Sequence, residues 1–395
     1  MKPLKEVCAF IGDGNWIESK DQSPEGIRLI QTGNIGTGYF RGKEEKSKYI
    51  SEPTFNRLKC TEVYEGDCLV SRLPDPVGRA CVLPSTQERM ITAVDCAILR
   101  FKKNVLIPEF FVYFSQSHDY LESVISEATG TTRTRISRKN LSAITVPVPP
   151  LPEQRRIVAI LDEAFEGIAT AKGNAEKNLQ NAREVFESNL NAVFSQRGEG
   201  WVEKRLGNVA GFIDYRGRTP TKTECGLRLI TAKNVKMGFI KLTPMEFVSP
   251  NSYDSWMTRG IPKYGDVLFT TEAPLANIAQ LDTEDKVVFA QRIIILQADH
   301  KEIISAFLKY ELMSPPVQQR IHSMGTGATV KGIKARLLKQ IEIHIPSLTE
   351  QRRIVAILDK LSQESQRLES IYQQKLAALD ELKQSLLHQA FNGDL

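Results

Sequence analysis

Apolar and polar positions along the chain fall into two alternating textures. Short runs rich in β-branched and large apolar residues occupy 67–72, 79–83, 90–101 and 143–149, with helical spacing near 108–125. Similar runs return at 266–271, 277–282, 286–296 and 341–345, with helical spacing near 302–313. Each set predicts an α+β globule. Beyond each globule, Pro and β-branched clusters give way to Glu, Gln, Lys, Ala and Leu, a helix-forming mixture. In the first such stretch apolar residues recur three and four apart, at Ile157, Ile160 or Leu161, Ala164, Ile168, Ala175, Leu179, Ala182, Phe186, Leu190 and Val193. The second gives Ile354, Ile357, Leu361, Leu368, Ile371, Lys375, Ala378, Leu382 and Ser385, with Leu376, Leu379 and Leu386 widening the stripe. Both patterns predict a coiled-coil seam with polar interruptions. The starts are marked by Ser347-x-x-Glu350 at capping-box spacing, and by Pro152 at a first-turn position after Val-Pro-Val-Pro-Pro.

The alternation is a duplication. Residues 153–162 and 350–359 both read EQRRIVAILD, an offset of 197. At that offset Thr129-Gly130 matches Thr326-Gly327, Ile136 matches Ile333 and Phe194 matches Phe391. Upstream the offset drifts, so that GIRLIQTGNI at 26–35 answers GLRLITAKNV at 226–235. The predicted organisation is a globule at 1–151, a long helix at 152–197, a second globule at 198–346 and a second long helix at 347–395. Connectivity then sets the topology, because the first helix delivers the chain to the second globule and nothing follows the second helix. Paired helices are therefore antiparallel, and the expected product is a dumbbell with pseudo-twofold symmetry. A helix packed wholly on its own globule is the alternative; about 42 residues at 1.5 Å each reach roughly 63 Å, too long for that.

Composition narrows the class. The chain has 395 residues, 41% of them hydrophobic, which supports two or three cored domains. No apolar run reaches the length of a membrane span, and the first residues lack a signal-peptide block, which predicts a cytoplasmic protein. Six cysteines contain no C-x-x-C pair and five histidines are scattered, so neither a disulfide framework nor a zinc module is expected, and buried free thiols are. Lys+Arg 52 against Asp+Glu 47 leaves +5, which permits nucleic acid without requiring it.

Catalytic signals fail on inspection. There is no Walker phosphate loop, and the glycines of 36–43 are misplaced for one. Phe10-Ile11-Gly12-Asp13-Gly14 has the F-x-G-x-G form of adenosylmethionine-binding methyltransferases, yet no N-P-P-[YFW] partner motif accompanies it. Its counterpart, Phe212-Ile213-Asp214-Tyr215, lacks the glycines. Leu73-Pro74-Asp75-Pro76 is not followed by the acidic-x-Lys that a metal nuclease requires.

Charge placement is more informative. Residues 129–141 carry Arg133, Arg135, Arg138 and Lys139 with no acid, and 326–339 carry Lys331, Lys334, Arg336 and Lys339 with none. Gly and Thr let backbone approach a polyanion, and Arg reaches guanine edges bidentately. One such loop alone could be a solvated surface; its repetition favours a long anionic ligand, and duplex DNA is one.

The repeated T-G-T or T-G-A segment, the I-x-V-P-x-P-P-L-P-E-Q-R-R-I-V-A-I-L-D run with its second-half counterpart, and the closing LLHQAFNGDL resemble the specificity subunit of type I restriction-modification systems. The likeness spans the whole chain. It implies that each globule reads one half of a split double-stranded DNA target while the helices set the spacer between halves. One heptad inserted into both helices is accordingly expected to lengthen that spacer. It implies two methyltransferase subunits and restriction subunits as partners, which carry the adenosylmethionine, ATP and magnesium, with no cofactor and no chemistry in this chain. DNA candidates are the two basic loops, with Arg72, Arg79, Arg216, Arg218 and Lys233 in loops or at strand ends as weaker ones. Subunit-contact candidates are Gln154, Arg155, Arg156, Gln351, Arg352 and Arg353, identical at both helix starts; binding back to their own globule is the rival role. The rival function is a scaffold that spaces two protein partners and binds no DNA.

Overall fold

The computed structural model describes residues 1–130, 133–215, 220–327 and 329–395. These form two compact units. The first comprises Met1–Glu176 with Gln373–Leu395, and the second Lys177–Tyr372. The division therefore falls within the long helices, not at the ends of the globules: Leu151–Gln196 and Leu348–Asn392 each begin in one unit and end in the other.

In the first unit a four-stranded antiparallel sheet is ordered Cys8–Asp13, Cys96–Phe101, Cys68–Ser71, Ala80–Val82. The second unit repeats it as Ala210–Asp214, Ile293–Ala298, Val267–Thr271, Leu275–Gln280. The two central strands of each sheet are buried along nearly their full length, and their sequences show it: Cys-Leu-Val-Ser and Val-Leu-Phe-Thr-Thr have no outward polar alternation. A second sheet carries a parallel pair in each unit, Ile27–Ile30 on Met90–Thr92 and Leu227–Ile230 on Val288–Phe289. The run read as one strand over 90–101 is thus two strands, Met90–Thr92 and Cys96–Phe101, joined by a turn in which the Cys96 N–H donates to the Ala93 carbonyl.

Helix pairs close each core. Pro108–Phe114 and His118–Ser126 in the first unit answer Ser305–Met313 and Pro315–Met324 in the second. The long helices join the same cores. Ile157, Leu161, Leu387 and Ala390 lie in the first, and Leu190, Phe194, Ile354 and Leu358 in the second. Within each unit the two helices run antiparallel. In the first, Arg156 meets the Leu395 carbonyl while Lys172 pairs with Asp380. In the second, Arg183 pairs with Glu369 at 2.9 Å, and the buried Ser365 hydroxyl donates to the Ala182 carbonyl.

The seam of the second helix corrects the expected one. Ile357, Ile371 and Leu382 are exposed, whereas Ile354, Leu358, Ser365, Leu387 and Ala390 are buried, with Leu376, Leu379 and Lys383 partly so. A strict seven-residue repeat drifts about 20° per heptad around a straight helix. In the first helix the buried positions Leu161, Ile168, Ala175 and Ala182 recur every seven residues before the stripe steps to Leu190 and Phe194; in the second, Leu358 and Ser365 are seven apart and Leu387 and Ala390 close the stripe.

Five cysteines are buried free thiols, as expected, but Cys225 is exposed. Burial pushes the Cys8 and Cys81 thiols up to about 12. The two cores differ at one position of the repeat. Phe114 packs edge-on against Tyr120 in the first unit, while its counterpart Glu311 is buried and accepts the His344 N–H at 2.8 Å. Burial raises the Glu311 carboxyl to about 7.

Candidate nucleic-acid interface

Each basic loop is built by the same local chemistry. Thr129 and Arg135 exchange backbone hydrogen bonds of 2.9 and 2.8 Å, and Thr326 and Gly332 exchange a pair at 2.9 Å. Gly130 and Gly327 make both loops possible, at φ +114° and +124°, since a Cβ there would meet the carbonyl of residue 133 at 2.5 Å or of residue 330 at 2.1 Å. The next residue that anchors the loop is apolar: Ile136 and Ile333 are buried, and their N–H groups donate to the Arg72 and Thr271 carbonyls. Ser137 then caps the short helix Arg138–Ala143, and Lys334 precedes Ala335–Leu338. Loop and hairpin turn are thereby stitched together in both units, with Arg133, Arg135, Arg138, Lys139, Lys331, Lys334, Arg336 and Lys339 all exposed.

The side chains around this shared backbone differ. In the first unit Arg135 pairs with Asp95 at 2.8 Å and Arg138 lies 3.7 Å from Asp13. Arg72 is buried between the same two carboxylates, 3.0 Å from Asp13 and 3.7 Å from Asp95. Burial lowers its pKa, with the Asp13 charge opposing. Three arginines thus share two carboxylates, and exposed Arg133 and Lys139 add to a positive surface with a fixed inner layer. In the second unit Arg292 pairs with Glu272 at 2.8 Å beside the loop, and Lys339 lies 5.1 Å over the Phe212 ring. Among the described residues no group of three or more His, Cys, Asp or Glu is placed to hold a metal.

Arg72 and Arg79 are corrections to the list of exposed DNA contacts. Arg79 is buried and donates to the carbonyls of Ile35, Thr32, Leu73, Pro74 and Pro76, at 2.6–3.1 Å. A buried arginine whose three nitrogens each meet a carbonyl is held as scaffold, turned inward and away from a phosphate. Lys233 is exposed, and Arg216 and Arg218 lie outside the described residues. Asp13 enters the sequence reading only as a variable position of the Phe10–Gly14 segment, and no motif singles out Asp95 or Arg292.

The helix starts separate by residue. Gln154 is buried; its Oε1 accepts the Ile107 N–H at 2.9 Å and its Nε2 donates to Val105 and Pro149 at 2.9 and 2.8 Å. Gln351 repeats all three bonds with Ile304, Glu302 and Pro346. Both glutamines therefore tie a helix to its own globule, which corrects their assignment to a partner surface. Arg156 and Arg353 form ion pairs with Glu153 and Glu350 one turn earlier, which raise the pKa of both arginines. Arg155 and Arg352 are exposed.

A twice-built α+β module, each copy presenting a basic loop beside a hairpin turn and each sharing in a pair of long antiparallel helices, defines a duplicated recognition protein. The model of the type I restriction modification DNA specificity domain matches residues 1–180 and 198–376, and the chain belongs to that family. It is 23% identical over 302 residues to the type I restriction enzyme EcoBI specificity subunit of Escherichia coli, covering 70% of this chain and 64% of that one. The match to the EcoKI specificity subunit of Escherichia coli strain K12 is 22% over 319 residues, 76% of this chain and 68% of that one. The chain thus spans about two thirds of each. The fold is shared with a solved chain from work on complex assembly and conformational transition of the type I R-M system, at TM-score 0.78 and 21% identity, covering 100% and 97% of the two chains.

Proposed function

We propose that this chain is the sequence-reading subunit of a type I restriction-modification complex, with each unit binding one part of a bipartite, asymmetric double-stranded DNA target. The observation that carries this reading is the basic loop stitched to the same hairpin turn in both units while the surrounding side chains differ. Equal backbone geometry suits equal phosphate contacts, and unequal side chains suit unequal half-sites. The helices between the units set the number of bases between the half-sites. Exposed Arg155 and Arg352, at identical helix starts, serve two copies of one partner, the methyltransferase subunit. That partner carries adenosylmethionine, and restriction subunits with ATP and magnesium join it in the cytoplasm. The chain performs no chemistry of its own; no helix among its described residues is long and apolar enough to cross a membrane.

Adenine methylation mapped across the genome of cells expressing the chain with its methyltransferase partner tests this, with the chain omitted as control. A split motif that appears only with the chain supports the reading. Methylation without a chain-dependent motif, together with salt-insensitive association, supports the scaffold instead, because phosphate binding weakens steeply with salt.

A further inference from the structure

A second repeated device stands on the other flank of the same hairpin turn. Residues 35–41 and 235–241 form a tight finger in each unit. Ile35 bridges Phe40 and Val235 bridges Ile240, and the N–H of residue 36 or 236 donates across the tip to the carbonyl of Tyr39 or Phe239 at 2.9 Å. Gly38 and Gly238 share φ +91°, and their N–H groups donate to Ala80 and Ile278 on the edge strand of the sheet. Asn34 and Asn234 brace the finger from within, each accepting a backbone N–H three residues earlier and donating to the carbonyl of Arg41 or Lys241 at 3.0 Å. Even the root is held alike: the Ile35 carbonyl accepts from Arg79 at 2.7 Å, and the Val235 carbonyl from Asn277 at 2.9 Å.

On this constant frame the tips differ. Tyr39 is 57% exposed in the first unit; Phe239 is 50% and Met237 42% exposed in the second. Folding gains little from a ring left in water, so exposed rings at the same place in both copies mark a contact surface. The chemistry of the surroundings selects the contact. From 31 to 43 the finger carries Arg41 and Lys43 and no acid, and from 231 to 245 it carries Lys233, Lys236 and Lys241 and no acid. Basic groups interleaved with exposed aromatic and thioether side chains suit a polyanion with flat apolar edges.

We propose that these fingers read bases of duplex DNA, Tyr39 with Arg41 in the first unit and Phe239 with Met237 in the second; this rests on the DNA-reading function proposed above. The Arg41 guanidinium lies 5.3 Å over the Tyr39 ring and its Nε is 3.2 Å from the phenol oxygen, so the fork is oriented before binding. Such a fork matches guanine O6 and N7. Phe239 and Met237 offer no side-chain hydrogen-bond donor and suit a thymine methyl or a base step that admits an apolar wedge. The basic loop and the finger bond to opposite ends of one hairpin turn, Ile136 to Arg72 and Gly38 to Ala80, so phosphate contact and base contact share one surface within each unit.

The test is methylation mapping of the chain and its methyltransferase partner, with duplex-binding titrations of the purified complex. Arg41→Ala is expected to relax one base position in one part of the motif, and Phe239→Ala one position in the other part, each leaving the remaining part and the spacer unchanged. Affinity for the cognate duplex falls about tenfold while affinity for a scrambled duplex stays. An unchanged motif from a folded variant overturns the proposal, as does an equal loss on cognate and scrambled duplexes, which marks phosphate contact alone. A wild-type chain that directs no motif removes the DNA-reading function and the fingers with it. Should the alanine variants melt, reciprocal exchange of residues 37, 39 and 41 with 237, 239 and 241 decides: the base preference moves with the tip, or the fingers do not read.

Discussion

The two hairpin turns accept the same backbone bonds from loop and finger and share almost nothing else. Residue 72 is a buried arginine clamped by Asp13 and Asp95, whereas its counterpart Thr271 carries no charge and the cation beside it is Arg292, paired with Glu272. Arg79 makes five bonds to carbonyls where Asn277 makes one to Val235. The difference teaches that duplication has preserved main-chain hydrogen bonds and glycine conformations while leaving side-chain charge free to diverge. A site that must hold the same polymer in two places and read different letters requires that division.

Four experiments press on the comparison. The largest effect is expected where the units agree most. Gln154→Leu and Gln351→Leu each strand one N–H and two carbonyls, and each should lower stability by about 3–5 kcal/mol, read by denaturant melts. Unequal losses would show that one helix start leans on other support. Next come the roots of the fingers, where the units differ: Arg79→Met should cost about 3 kcal/mol and Asn277→Ala about 1 kcal/mol. Equal costs would mean that the extra bonds of Arg79 add nothing.

Third is the carboxyl buried in the second unit where the first has Phe114. Glu311 titrates near 7 in the fold against an ordinary 4.5, so its contribution is complete below about 4.5 and is lost as pH rises through about 7. His344, held below its ordinary 6.5 chiefly by burial, acts in the opposite sense and loses its contribution as pH falls through its folded value. Glu311→Gln keeps an acceptor for the His344 N–H. It should raise stability by about 1–3 kcal/mol at pH 8 and leave it nearly unchanged at pH 5. A gain that is equal at both pH values would place the effect in packing. The smallest effect concerns the loops. Arg133→Ala and Lys331→Ala should each flatten the salt dependence of duplex binding by about 0.9 in log–log slope. A change from one loop only would mean that the other is not on phosphate.

The duplication, the globule–helix alternation and the antiparallel pairing were legible because they rest on local composition and on a ten-residue identity. The basic loops were legible for the same reason: a run of cations without acids is a sequence fact. Gln154 was not. Its partners at 105 and 107 lie almost fifty residues away, and a glutamine that fills three backbone vacancies reads in sequence like any exposed helix residue. Arg72 and Arg79 misled because arginine is expected at the surface, and only the fold shows carbonyls converging on its fork. The register of the second helix differs from the expected one because neighbours such as Ile357 and Leu358 fit a three-four alternation equally well. Only burial separates them, with Leu358, Ser365 and Leu387 inside and Ile357, Ile371 and Leu382 outside.

The covered stripe has a consequence for how the paired helices can change length. Helix added in sevens would swing the stripe by about 20° one way and helix added in elevens by about 20° the other, because a turn takes 3.6 residues. Only about eighteen residues, five whole turns and about 27 Å of rise, would return it to its partner. Length in this scaffold is thus quantised by its own packing, and the quantum is far coarser than one heptad.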